Sequence, residues 1–540
     1  MKNLCYLGLA SLLCLSFAGP LAAQQVKTDI VLPDPPEANA QAAPKLTPEQ
    51  MELLQSRIRH IRERQAAMER LRPQPAAPGL PLVQGRETQV AAGAAATQLG
   101  PPELLIIPRN IVNPRANNPA HASTLAEPAA INDGPFTFSA GNYDHAEYSA
   151  PDFGGGVTFF DVPVPGGPAD ATIPCCDNDV VYDKARGLTI WSTLYINALA
   201  INGVVRLFVR RSVSTEACSY TIDNGGASNL LMDYPHLGLS NDFLYLATND
   251  IPAGGPQNAT IKRFDLDAMY DCLAVPTATF SWPSATDGQR VWRPVEGATE
   301  TMYWAHHQNA TTLRVFSWPE SDPAPTNVLR TVSSSSFGDP DCRGGALNND
   351  WADSLSASII GFSKHGAVGA GRVSWYWSVS PDAAPHTQGH IHAAIFNEPG
   401  LALITEPPVY NNALCMMNPN LAANRRGDLG ISLAQGGQAG GGGGAATPAV
   451  AMDDDFTPGI GFFETLVPIT PPGTHNRTDA RYGDYFTVRP QNPCDLFFFA
   501  TGYALIGGTG VASVDSRLVD FGRQRDSKCY FGWRNSVRVP

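Results

Sequence analysis

The chain has 540 residues, with 50 acidic side chains against 37 Lys and Arg and a formal charge of −13. That balance disfavours nucleic acid and other polyanions and favours cations or neutral ligands. Acidic and basic residues cancel over 24–133, so the excess negative charge belongs to the later part of the chain.

Lys2, the apolar stretch 4–17 and the small residues of Leu21-Ala-Ala23 read as a secretory signal over 1–23. No stretch reaches the roughly 20 apolar residues of a membrane helix. The expectation is a chain secreted, or held in the periplasm or at the surface, of a Gram-negative bacterium. Residues 24–45 are rich in Pro, Ala and Gln and read as disordered. A helix is expected within 46–72. Thr47, Pro48 and Gln50 supply its start signals, and Met51, Leu54, Ile58, Ile61 and Met68 form an apolar stripe. Read as a short coiled coil, residues 48–72 would support self-association; read as an amphipathic helix, they would dock on the rest of the chain or on a partner. Residues 73–133 read as a linker carrying one strand-like docking patch at 104–107.

From 134 to 540 helical periodicity nearly vanishes, and short apolar runs alternate with Gly, Asn, Asp and Pro turns. The clearest strands fall at 188–194, 204–210, 243–248, 260–265, 301–306, 312–318, 357–362, 373–379, 391–396, 429–433, 462–466, 484–488 and 496–503. Three signatures recur among them: Asp179-Val-Val-Tyr-Asp183, Asp233-Tyr-Pro-His-Leu-Gly238 and Arg481-Tyr-Gly-Asp-Tyr485. A β-unit returning at intervals predicts an all-β fold, a β-propeller of six or seven blades, with acidic and aromatic residues gathered at its axis. The glycine tract 436–444 lacks the Lys-Ser/Thr ending of a phosphate-binding loop and reads as a flexible surface loop. Eight cysteines follow the leader, which favours disulfides; Cys494 with Cys529 and Cys218 with Cys272 are the expected pairs. For the adjacent Cys175 and Cys176, two separate partners is the plainer reading.

Over 174–505 the chain resembles exported bacterial β-propeller proteins of sialidase-like architecture. The stretches that carry the likeness are 179–183, 233–239, 418–430, 481–485 and 499–503. The last two look like the strands that close such propellers. The resemblance implies the fold. It does not extend to the catalytic set of sialidases, which the family builds from three arginines, a Tyr–Glu pair and an Asp. Ser284-Ala-Thr-Asp-Gly288 also departs from the Ser-x-Asp-x-Gly-x-Thr-Trp hairpin of that family.

Four constellations carry candidate chemistry. Asp177, Asp179 and Asp183 either converge on Ca²⁺ or cap turns and pair with Arg186. Asp233, Tyr234 and His236 suit acid–base work or a hydrogen-bonded blade motif. His386, His390 and His392 are the candidate transition-metal ligands, with His390 and His392 on one strand face. Arg481, Asp484 and Tyr485 either hold a ligand or lock a strand. Asp183, Asp233, His236 and Asp484 are thus the candidate catalytic groups, and Arg481, Tyr485 and Tyr234 the candidate ligand contacts; Glu296 is a further carboxylate within reach of a channel. The expected function is binding of a glycan or surface protein without catalysis, with Trp292, Trp304, Trp318, Trp351, Tyr376 and Trp377 as stacking surfaces or blade packing. The alternatives are a glycosidase or polysaccharide lyase, and a His-ligated metalloenzyme. The cofactor is unknown on this reading, with Ca²⁺ or a transition metal as candidates.

Overall fold

The computed structural model describes Leu104–Pro108 and most of 126–530. The expected signal, the 24–45 segment, the 46–72 helix, the 357–362 strand and Arg481, Asp484 and Tyr485 lie outside the described residues. Among the described residues, no helix is long and apolar enough to cross a membrane.

The strands form because short β-branched and aromatic runs are cut by turn residues, and their burial shows how they stack. Leu188–Ile196 is buried at every position but the last, and Phe498–Leu505 at every one. Strict alternation is absent there because both faces of each sheet are covered by neighbouring sheets. Thr326–Thr331, an outermost strand, is instead open to solvent along its length. The pattern therefore grades from buried middle strands to a wet outer edge.

Seven runs of antiparallel strand pairs follow one another along the described chain, the second and third joined into one sheet by a parallel bridge between Leu231 and Gly203. The first comprises Ala129–Asn132, Phe136–Ala140, His145–Ser149 and Phe159–Asp161. The second runs Asp179–Asp183, Leu188–Ile196, Gly203–Arg211 and Ala217–Ile222. Leu230–Leu239, Phe243–Pro252, Asn258–Asp265 and Thr277–Pro283 make the third. In the fourth, the segment 291–296 lies beside Thr301–Asn309, Thr312–Pro319 and Thr326–Thr331, with Val295 N–H donating to the Tyr303 carbonyl. His365–Gly369, Arg372–Val379, His390–Asn397 and Leu403–Thr405 form the fifth. The sixth is Cys415–Ala423, Leu429–Gly436, Thr447–Asp453 and Val467–Pro468. The seventh is Val488–Pro490, Phe498–Leu505 and Val514–Arg523, completed by Leu104–Pro108, which pairs antiparallel with 519–523.

The first strand of each unit touches the first strand of the next, and the series closes. Asp179–Asp183 lies against both Ala129–Asn132 and Leu230–Leu239. Gly238 abuts Pro294, Glu296 bridges Ala367, His365–Gly369 meets Cys415–Ala423, and that strand meets Val488–Pro490. The Thr487 hydroxyl then joins both ends of the ring, taking the Ala130 N–H at 2.9 Å and donating to the Ala130 carbonyl at 3.2 Å. An all-β ring of sheets with its first strands innermost is a β-propeller. Gly366 shows how tightly the ring is drawn: a Cβ there would fall 2.7 Å from Val295 and 2.9 Å from the Ser374 carbonyl.

Large apolar side chains fill the spaces between sheets. Trp292, Trp304, Phe316 and Trp318 are packed with Phe280 and Trp282 between the third and fourth units. Trp292, Trp304, Trp318, Trp351, Tyr376 and Trp377 are all fully buried, so the stacking-surface expectation gives way to blade packing.

Three further expectations change. The strand-like patch at 104–107 does dock as a strand, the outer one of the last sheet, while 129–132, inside the expected linker, already belongs to the first. Residues 463 and 466 lie outside any strand. The 436–444 tract is pinned. Gln438–Ala439 pairs with Cys342–Gly344, Gly345 N–H donates to the Gly443 carbonyl, and Asn348 receives the Gly442 N–H. A Cβ on Gly344 would fall 2.2 Å from the Gly444 carbonyl oxygen, so the tract is glycine-rich because two backbones touch.

Disulfides join Cys218 to Cys272, Cys342 to Cys415 and Cys494 to Cys529. Cys176 is also disulfide-bonded, to a partner outside the described residues.

Candidate functional site: an axial recess of paired charges

Where the innermost strands converge, Asp179, His236, Arg293, Glu296, Asn420 and Arg489 line a recess, drawn from five stretches of chain, with Arg293 and Glu296 sharing the segment 291–296. Its free space is about 20 Å³, room for a water rather than a sugar ring.

Four of these residues adjoin a proline: Pro235-His236, Arg293-Pro294, Pro419-Asn420 and Arg489-Pro490. An innermost strand is paired on one side only, so a proline costs no ladder hydrogen bond when its nitrogen faces the axis. Two of the prolines also sit at breaks in register, between Asp233 and His236 and between Met417 and Asn420. Tyr234 (φ 56°) and Asn418 (φ 55°) turn left-handed there, and the bulges deliver His236 and Asn420 to the recess.

Arg489 organises the centre. Its Nη2 lies 3.1 Å from Asp179 Oδ1 and its Nη1 2.7 Å from Glu296 Oε1. The same nitrogens donate to the Val180 and Val488 carbonyls. Two carboxyl oxygens on adjacent nitrogens of one guanidinium sit no more than about 8 Å apart, below the upper limit of about 9.5 Å for paired glycosidase carboxylates. Asp179 is fixed further by the Val180 and Leu237 amides at 2.8 and 2.9 Å. His236 Nδ1 stands 3.7 Å from Asp179 Oδ2, too long for a hydrogen bond and close enough for charge to act. The His236 ring meets Tyr234 edge-on, and the Arg293 guanidinium lies over Tyr234 at 4.9 Å.

The surroundings drive the two carboxyls apart. Burial raises the Asp179 carboxyl, but His236, the Arg489 charge and the Leu237 amide outweigh it and hold the group below its ordinary value. For Glu296 burial dominates, with Asp179 adding repulsion against the Arg489 attraction, and the carboxyl is pushed up to about 7. One acid poised near neutrality and one ionised carboxylate, clamped by a single arginine, is the arrangement that general acid–base chemistry requires.

The expected site residues are distributed as follows. His236 lines the recess. Tyr234 is buried beside it, under Arg293. Asp233 opens the bulge and does not line the recess. Asp183 is drawn away: it caps the turn through the Ala185 and Arg186 amides and pairs with the Arg186 side chain at 3.2 Å. Asp183 thus follows the turn-capping and Arg186-pairing alternative, while Asp179 joins an axial ion pair with Arg489 in place of a shared Ca²⁺ site. Arg481, Asp484 and Tyr485 lie outside the described residues. Sequence reasoning missed Arg293 and Arg489 altogether, and took Asp179 for a turn or calcium residue.

The histidine group also rearranges. His386 and His390 converge with Asp382, while His392 turns to Glu406, with Nε2 3.5 Å from Oε1, and stacks on Trp377. Elsewhere a cavity of about 370 Å³ between the fifth and sixth units is lined by Asp428, Asp453, Asp454 and Asp455 with Arg372 and Arg426. Its carboxylates are internally satisfied: Asp453 by Thr457 and Gly461, Asp454 by Arg523 and Asp455 by Arg525.

No family model matches the chain, and no curated protein matches it. Among solved structures it is similar to an alpha-L-arabinanase of Penicillium chrysogenum complexed with arabinobiose, at 9 % identity and a TM-score of 0.38, over 79 % of this chain and 98 % of that one. A GH93 alpha-L-arabinofuranosidase of Fusarium graminearum, with arabinobiose, matches at 7 % identity and a TM-score of 0.37, over 76 % and 96 %. A Trypanosoma rangeli sialidase in complex with sialic acid matches at 8 % and 0.36, over 71 % of this chain and 57 % of that one. The strand order and ring closure described above define the fold independently of these likenesses.

Proposed function

We propose that the protein is an exported β-propeller that acts on glycans by general acid–base catalysis at the axial recess. One observation carries the reading: Arg489 holds two carboxyls whose proton affinities are driven in opposite directions. Glu296, with its carboxyl pushed up to about 7, would supply a protonated fraction near neutrality to donate to the leaving glycosidic oxygen. Asp179, ionised, would accept a proton from the attacking water or stabilise positive charge on the sugar. Arg489 fixes the spacing, and His236 supports the charge on Asp179. A recess of water size would take the attacking water inside and leave the sugar across its rim.

Incubating the purified full chain with a panel of neutral and acidic oligosaccharides tests this. Cleavage is expected at near-neutral pH, falling at least 100-fold in Glu296→Gln and Asp179→Asn variants that melt cooperatively. A second reading, a non-catalytic glycan-binding propeller, is favoured by the narrowness of the recess. Binding without turnover, unchanged by Glu296→Gln, would select it, and neither binding nor cleavage would end both.

A further inference from the structure

The histidine group on the fifth unit has nothing to do with the axial recess, and its geometry differs from the one the sequence suggests. His390 opens the strand His390–Asn397 with its imidazole almost completely buried. Asp382 and His386 come from the connection that precedes this strand; Asp382 is exposed and His386 half-buried. Nitrogen and carboxylate oxygen atoms of the three residues all lie within 4.8 Å of one another. The imidazoles of His386 and His390 stack at 4.6 Å, and Tyr410 closes edge-on against His386.

The protonation pattern favours metal over a proton-held cluster. His390 Nδ1 lies 3.2 Å from the Gln388 carbonyl, which accepts only if that nitrogen carries the hydrogen. Nε2 is then left with its lone pair, the tautomer that a backbone carbonyl fixes in metal-ligating histidines. This Nε2 faces Asp382 Oδ2 across 3.9 Å, too far for a hydrogen bond and close to the about 3.4 Å between two ligands of one tetrahedral zinc. His386 Nδ1 makes the remaining contact, 3.1 Å from Asp382 Oδ1.

We infer that Asp382, His386 and His390 form a binding site for a divalent transition metal of the zinc class. Two imidazoles and one carboxylate suit such an ion and not Ca²⁺ or Mg²⁺, which prefer all-oxygen shells. Drawing the three ligands onto one ion closes separations of up to 4.8 Å to the about 3.4 Å of a tetrahedral shell, with the exposed Asp382 and half-buried His386 moving around a fixed His390. The pinned glycine tract steadies this connection, since Gln388 Oε1 accepts the Ala439 N–H at 2.7 Å. Three protein ligands leave at least one coordination position open to water or an external donor.

The test is equilibrium dialysis of the chelator-stripped full chain against Zn²⁺, with metal counted by elemental analysis and thermal melts run with and without Zn²⁺. One Zn²⁺ per chain and a raised melting temperature are expected. Affinity should fall at least 30-fold in Asp382→Asn, at an exposed position, and in His386→Gln, at a half-buried one, each variant checked for a cooperative melt. His392→Gln, at a residue committed to Glu406 and Trp377, should keep affinity within threefold. Failure to bind one Zn²⁺ above buffer level overturns the inference. So does equal loss of affinity in His392→Gln and His386→Gln, which would restore the His386–His390–His392 set.

Discussion

Replacing Glu296 by Gln isolates the most perturbed carboxyl at the axis. In the unfolded chain this group titrates near the ordinary glutamate value, and in the native protein near 7. The native state therefore holds an extra proton across that interval, and its stability falls as pH rises from about 4.5 to about 7, with no further change outside. Each unit is worth about 1.36 kcal/mol, so the native protein loses about 3 kcal/mol over the window; the side chain is 17 % exposed, which keeps most of this unscreened. Asp453, pushed up to about 6, contributes with the same sign, and His390, pushed down to about 4, with the opposite one. The readout is therefore the difference between wild type and Glu296→Gln in urea unfolding free energy, at half-unit steps from pH 4.5 to 8. That difference should shift by about 3 kcal/mol against the wild type and then level off above pH 7. Parallel curves, or a gap that widens towards low pH, would show that Glu296 is ionised throughout and would remove the proposed acid.

Arg489→Met leaves Asp179 and Glu296 buried without their shared cation and should cost about 3–5 kcal/mol at pH 7 in urea unfolding. The loss should shrink in a Glu296→Gln background, and a cost below about 1 kcal/mol would contradict the clamp. Trp304→Ala should remove about 3–5 kcal/mol of stability, because its ring is enclosed by Phe280, Trp292 and Phe316. A stable variant that has lost only glycan binding would reinstate the stacking-surface reading.

Much of the propeller is legible in residues 188–505. Runs such as 188–194, 243–248 and 373–379 end within a few residues of the observed strands, since β-branched and aromatic content with turn punctuation fixes them locally. The strand at 104–108 was legible as a strand-like docking patch, but its place in the last sheet was not, because its partner is more than 400 residues away. The segment 291–296 escaped for a different reason: Arg293, Pro294 and Glu296 spoil any apolar pattern, and an innermost strand tolerates them. The axial site was legible only in part. His236 and Glu296 could be nominated by residue type, but the convergence of Asp179 with Arg489 depends on the first and last units closing the ring. The recurring pairing of a proline with a charged or amide side chain was the available signal, at 235–236, 293–294, 419–420 and 489–490.

The seam of the ring carries a kinetic consequence. Leu104–Pro108 is made before any other described strand, yet it finds its hydrogen-bonding partner only when residues 514–523 have arrived. Until then one apolar ribbon waits at the front of the nascent chain and one open sheet edge at its back. Assembly of the torus is thus an end-of-synthesis event, dominated by a contact of extreme sequence separation, and slow by that fact. Any cell that makes this protein must shield both unmated edges for the whole interval, because either one is a template for pairing with a second copy.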